Sequence, residues 1–150
     1  MVNESVIQRL SNLCNNFPDQ FFKIDITKFE FKESESKWSK KEILGHLIDS
    51  AANNHQRFIR AQYENEPIIF YDQNEWVNLT NYQSMNSVDL INLWKAYNQL
   101  ILNIIIQIPN EKLTRLVGNQ DGKFTLLFII EDYVNHLQHH VYQILEEKIE

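Results

Sequence analysis

The stretch Asp132-Tyr-Val-Asn-His136-Leu-Gln-His-His140-Val-Tyr-Gln-Ile144 carries an apolar stripe at helical spacing. Tyr133, Val134, Leu137, Val141 and Ile144 form it, and Leu126 and Ile130 extend it toward the N-terminus. It predicts a helix from near Thr125, just after an Asp121-Gly122 turn, to about Glu147. A step of four residues advances only about 40° around a helix axis, so His136 and His140 stand on one edge, one turn apart. His139 points elsewhere. Two imidazoles so placed can reach one ion, the reason zinc proteases use the same spacing. Those enzymes place a general-base Glu after the first His. Here that position is Leu137, which does not support peptidase chemistry of that type.

Three further helices are readable upstream. One opens at a capping box, in which Ser39 accepts from first-turn amides and Glu42 reaches back. Ile43, Leu47, Ala51, Asn54, Phe58 and Ala61 follow on one stripe, and the helix ends before Pro67. Another runs from near Ser87 to about Gln107, with Leu90, Leu93, Trp94, Tyr97, Ile101, Ile104 and Ile105 on its stripe and Pro109 closing it. The first spans Asn3 to Asn15 and is stopped by Pro18. Between them, Ile24 to Phe31 partly alternates, as a short strand would, and Asp72 to Leu79 suits a short helix. Residues 68–71 and Trp76 are too apolar to dangle in solvent. Only three Gly and three Pro occur, too few for a turn-rich sandwich or barrel. The expected fold is all-α: a four-helix bundle forming one domain over residues 1–150.

His46 lies on the helix that opens at Ser39, on a polar ridge continued by Ser50, Asn53 and Arg57 beside the apolar stripe. Stripe-to-stripe packing brings this ridge to the His136/His140 edge at the bundle rim, a common way for bundles to build metal sites. A histidine pair at this spacing often arises by chance; the third on a matching edge strengthens the signal. Three imidazoles suit Zn²⁺, Ni²⁺, Fe²⁺ or Cu²⁺ and leave positions open for water or substrate. Asp49, Asn53 and Asp132 are candidate acceptors for the second ring N–H of each ligand. Arg57 is placed to hold a substrate carboxylate or to make a surface ion pair. Trp76, Tyr82 and Tyr133 are candidates for pocket walls or for core packing. His55 and His139 read as solvated, and Cys14, on an apolar stripe, as core.

Charge narrows the partners. The formal net charge is −6, and 14 Lys and Arg are scattered without a basic run. That balance argues against a nucleic-acid binder and against an anionic membrane surface. The longest apolar runs, such as Leu126 to Ile130, are far too short to span a bilayer. A single cysteine precludes an internal disulfide, and Met1-Val-Asn-Glu lacks the features of a signal peptide. The expected location is the cytoplasm.

Two motifs resemble a known family. Trp38-Ser-Lys-Lys-Glu-Ile-Leu-Gly-His46-Leu-Ile-Asp49 looks like the second-helix motif of the DinB-like superfamily, and residues 132–144 are similar to its last-helix motif. Tyr71-Asp-Gln-Asn-Glu-Trp76-Val, followed by Tyr82, resembles the middle of many members. The resemblance covers roughly residues 36–146. It implies a four-helix bundle with a long crossover connection and a divalent metal, Zn, Ni or Fe, held by His46, His136 and His140. Members are often dimers, so a homodimer is implied as well. Characterised relatives include S-transferases that use bacillithiol, mycothiol or glutathione; many others are named metal-dependent hydrolases without a known substrate. The family name reflects induction by DNA damage and does not imply DNA binding.

The expected activity is therefore thiol transfer or hydrolysis of a small molecule. A metal ion with open positions lowers the pKa of a thiol or water that it binds, which explains the lack of an obvious Ser or Cys nucleophile. The alternatives are a metal-binding or structural stress protein without turnover, and an interaction module that keeps the fold and lacks metal. A ligand-sized pocket at the metal would favour the enzyme; a site closed by a fourth protein ligand would favour the structural role.

Overall fold

The computed structural model describes residues 1–146. Its helices are α1 (Glu4–Phe22), α2 (Ile26–Glu30), α3 (Lys40–Arg60), α4 (Gln73–Thr80), α5 (Ser87–Ile106) and α6 (Leu126–Leu145). Strands β1 (Leu116–Asn119) and β2 (Gly122–Thr125) form an antiparallel hairpin before α6. The four long helices make the bundle. In it α1 packs on α5 and α6, and α3 packs on the same two. The long connection over residues 61–86 carries α4, which lies against α3. One apolar core runs from Val2 to Ile144. No helix among the described residues is long and apolar enough to cross a membrane.

The caps place the elements where the sequence puts them. Ser39 Oγ accepts from the Glu42 amide, and Glu42 returns a bond to the Ser39 amide, both at 3.0 Å. Thr125 caps α6 through the Phe128 amide, and Asp72 caps α4 through the amides of Asn74 and Glu75. Each satisfies amides that the first turn leaves without partners. At the other end of α3, Arg115 donates to the carbonyls of Ala61 and Glu64, tying the chain before the hairpin to the helix C-terminus. Helix α6 ends at Leu145, with Glu146 in a left-handed cap; the expected end point, Glu147, lies outside the described residues.

Three expectations are corrected. Pro18 does not stop α1, which continues to Phe22. A proline inside a helix costs about 3 kcal/mol through a lost hydrogen bond and a ring clash. The turn beyond it buries Phe21 edge-on against Trp94, with ring centroids 5.3 Å apart, and that packing holds the helix together. Ile24 to Phe31 is no strand: Asp25 caps a short helix through the Thr27 amide, and Phe29 is buried. The strands lie instead at 116–125, where Gly122 takes a φ of 135° at the turn. Finally, Ile68 and Phe70 are exposed while Ile69 between them is buried. A one-residue bridge of Ile68 to Gly118 holds this segment extended, so alternate side chains face opposite ways.

One close approach sets up the site. The Tyr82 ring lies against Gly45 in α3, and a Cβ at position 45 would come within 2.1–2.5 Å of three ring carbons. Ordinarily Gly to Ala in a helix interior gains about 1 kcal/mol. Here we expect Gly45→Ala to destabilise the protein by roughly 1–3 kcal/mol, because overpacking must expel Tyr82. Urea melts measure this, and a stabilised variant would show that Tyr82 is not seated there.

Candidate metal centre

Helix α3 places His46 two turns beyond its cap, and α6 carries His136 and His140 one turn apart. The α3–α6 packing makes the three converge: one ring nitrogen from each lies within 4.8 Å of the others. His46 Nε2 and His136 Nε2 are 3.2 Å apart. Zinc–nitrogen bonds of about 2.0–2.1 Å place tetrahedral ligand atoms about 3.4 Å from one another, so this separation suits a shared ion. His46 is only 1% exposed, and the Trp38 ring packs over it at 4.8 Å between centroids. His140 Nδ1 donates to Gln143 Oε1 at 2.7 Å, a tautomer that leaves Nε2 with a free lone pair for a ligand.

The remaining polar groups depart from expectation. The ridge of Ser50, Asn53 and Arg57 is buried inside the bundle and not at its rim. None of Asp49, Asn53 and Asp132 bonds a ring nitrogen of the cluster among the described residues. Asp49 accepts from Tyr82 Oη at 2.5 Å, and Asn53 donates to the Asp49 carbonyl. His46 Nδ1 and Asp49 Oδ2 are buried without partners. Gln143, which the sequence reading missed, is the acceptor for His140; its place three residues on, on the same face, was the available signal. Among the described residues Arg57 makes no ion pair; it donates to Asn54 Oδ1 and the Ile69 carbonyl. His139 is exposed, as expected, whereas His55 is half-buried on the Tyr97 hydroxyl. Cys14 is buried, and burial pushes its thiol up to about 12, which keeps it inert.

Two cavities flank the histidines. A large one of about 710 Å³ reaches His140 and is lined by Phe31, Trp38, Ile43, Lys28 and Lys40 among others. A small polar one of about 110 Å³ reaches His136 and is lined by Arg57, Tyr71 and Tyr133 among others. Of the aromatic candidates, Tyr133 both lines the small cavity and donates to the buried Asn98. Tyr82 is core and holds Asp49, while Trp76 packs against Tyr71 and lines neither cavity.

Comparison with known proteins gives the family and the fold. Residues 4–144 match the sequence profile of the DinB superfamily. A Bacillus cereus (strain AH820) protein with the provisional name of metal-dependent hydrolase is 24% identical over 136 residues, 89% of this chain and 78% of that protein. A Bacillus anthracis (strain A0248) protein of the same provisional name matches with the same identity and coverage. Among solved structures, YfiT from Bacillus subtilis, provisionally assigned as a metal-dependent hydrolase with an unusual four-helix bundle topology, superposes with a TM-score of 0.85 at 20% identity. That match covers 95% of this chain and 83% of YfiT. A mycothiol-dependent maleylpyruvate isomerase superposes with a TM-score of 0.76 at 12% identity, over 94% of this chain and 60% of the isomerase chain. At these identities the solved structures establish a shared fold.

The titration of the cluster gives a test. Burial, reinforced by the neighbouring imidazoles, pushes His46 down to about 3 and His136 down to about 4. Unfolded histidines keep a value near 6.5, so the unfolded chain takes up protons first as pH falls. The stability this contributes is complete above about 6.5 and is lost toward the folded values. Asp49, pushed up to about 6 by burial, acts oppositely: its contribution falls as pH rises from 3.8 to about 6. Two larger histidine shifts outweigh it. Metal-free protein is therefore expected to lose stability in urea melts between pH 6.5 and 4, and a His46→Gln/His136→Gln variant to show a flatter slope. An unchanged slope in that variant would contradict the burial of the cluster.

Proposed function

This chain belongs to the DinB superfamily, and on that footing we propose that it is a divalent-metal-dependent enzyme acting on a small molecule, with zinc, nickel or iron held by His46, His136 and His140. The observation that carries the reading is the convergence of three ring nitrogens beside a cavity of about 710 Å³. Small-molecule sites are typically clefts of roughly 300–1,000 Å³. No fourth protein ligand joins the three among the described residues, so the donor set leaves coordination positions open, as catalytic sites do and structural ones do not. This counts against the non-catalytic alternative.

When bound, such an ion supplies Lewis acidity, lowering the pKa of a thiol or water that reaches it. The protein's own groups do the rest. Gln143 orients His140, and Trp38 covers one face of His46 against water. Phe31, Trp38 and Ile43 present apolar wall, while Lys28 and two ion pairs, Lys37–Glu33 and Lys40–Glu146, line the polar side of the same cavity. That mixture suits an amphipathic small molecule. The relatives' names support hydrolysis, and the mycothiol-dependent neighbour supports use of a low-molecular-weight thiol. The same proposal includes a cytoplasmic setting, where such thiols stay reduced, one domain over residues 1–150, and a homodimer.

We expect metal analysis of the purified protein to find about one divalent ion per chain. His46→Ala, His136→Ala and His140→Ala should each weaken its retention, and His139→Ala should not. A chelator should abolish turnover in hydrolase and thiol-transfer assays, and added divalent metal should restore it. Turnover by metal-free protein, or by a variant lacking both His136 and His140, would overturn the reading.

A further inference from the structure

The small cavity beside His136 has a buried cation in its wall. Arg57 is 6% exposed, and its two hydrogen bonds go to neutral acceptors, Asn54 Oδ1 at 3.2 Å and the Ile69 carbonyl at 2.8 Å. Its Nε is buried and has no partner, and among the described residues no carboxylate lies within ion-pair distance. A guanidinium carries five N–H donors, so three remain unused here. Burying a charge without a counterion is costly, and structural arginines normally find a carboxylate. Burial lowers the Arg57 pKa, and the more distant charges of Tyr71 and Asp132 in the same cavity only partly offset it.

The rest of the lining is neutral and polar at depth, with Ser50, Tyr71 and Tyr133, and acidic at the mouth, with Asp121 and Asp132, both exposed. We propose that Arg57 and this cavity form a subsite for a single carboxylate group of the substrate, held beside the three histidines. The volume of about 110 Å³ admits a carboxylate with a short stem and little more. The two rim aspartates disfavour a second anionic group, which selects monocarboxylates over dicarboxylates and phosphoesters. The planar guanidinium matches a carboxylate better than an ammonium would. The inference rests on the metal-centre reading for its place in a reaction, since the carboxylate belongs to the molecule acted on there; the subsite itself is testable without metal.

The test uses metal-free protein and follows the Arg57 Nε–H resonance by nitrogen–proton NMR, with sodium propionate, neutral propionamide and succinate as probes. Propionate should shift that resonance saturably, propionamide should not, and succinate should bind several-fold more weakly. Arg57→Gln should lower propionate affinity roughly tenfold or more, as the loss of a charge-assisted bond implies. If that variant fails to fold, Asp132→Asn, an exposed change, keeps the test open: it should bring succinate affinity toward that of propionate. Equal shifts by propionamide, unchanged propionate binding in Arg57→Gln, or no gain for succinate in Asp132→Asn would each overturn the proposal. None of these outcomes depends on metal, so failure here leaves the three-histidine reading standing, and failure of metal binding leaves the carboxylate result intact.

Discussion

Helix α3 runs through the bundle buried on nearly every side, yet it carries Lys41, Glu42, His46, Asp49, Ser50, Asn53, Asn54 and Arg57 into that environment. Polar groups taken out of water need partners, and the surrounding chain is arranged around supplying them. Lys41 finds Glu30 at the end of α2 and the Gln83 carbonyl in the turn before α5. Gln83 in turn bonds Ser39 and the Glu30 carbonyl, so three segments meet in one knot. Asp49 is met by Tyr82, and Arg57 by the Ile69 carbonyl. The short helices and connections are thus pinned by hydrogen bonds to α3 as much as by apolar packing.

Where this pairing stops is informative. Along α3 the buried atoms left without partners are His46 Nδ1, Asp49 Oδ2 and Arg57 Nε. A buried polar atom left unpaired costs about 1–3 kcal/mol. His46 belongs to the histidine cluster, Arg57 lines the small cavity beside it, and Asp49 Oδ2 is the second oxygen of the carboxylate that Tyr82 holds. At Arg57 the unpaired donor sits in the wall of a cavity, where a ligand would supply the partner that the protein does not, an arrangement common where stability is exchanged for function.

Much of this was legible in the residues because it depends on local rules. The Ser39–Glu42 box, the caps at Asp72 and Thr125, and the phase that puts His136 and His140 on one edge need only helical geometry. Several of the failures involve distant contacts. Pro18 reads as a stop until Phe21 is seen against Trp94. The polar ridge reads as solvent-facing, because the Ile69 segment that covers Arg57 lies beyond the end of the helix. The hairpin was hidden behind a correctly placed turn, since eight residues give too little alternation to declare two strands. The small cavity was invisible for the same reason: Tyr71, Gln120 and Tyr133 share it only because the bridge at Gly118 draws the 61–86 connection to the hairpin.

The neighbour pattern of the bundle also sets a timetable. The two histidine-bearing helices touch in space but are separated in sequence by α4, α5 and the hairpin, and His46 and His136 lie 90 residues apart. Contacts of such separation close late, because loop entropy must be overcome before they form. During synthesis His136 and His140 follow α3, α4, α5 and the hairpin. A chain ending before α6 therefore carries one imidazole of the cluster, and the three-point cluster cannot serve as the nucleus around which the bundle condenses. Metal capture would be a property of the completed fold, and the growing polypeptide would be spared from trapping ions in a wrong geometry.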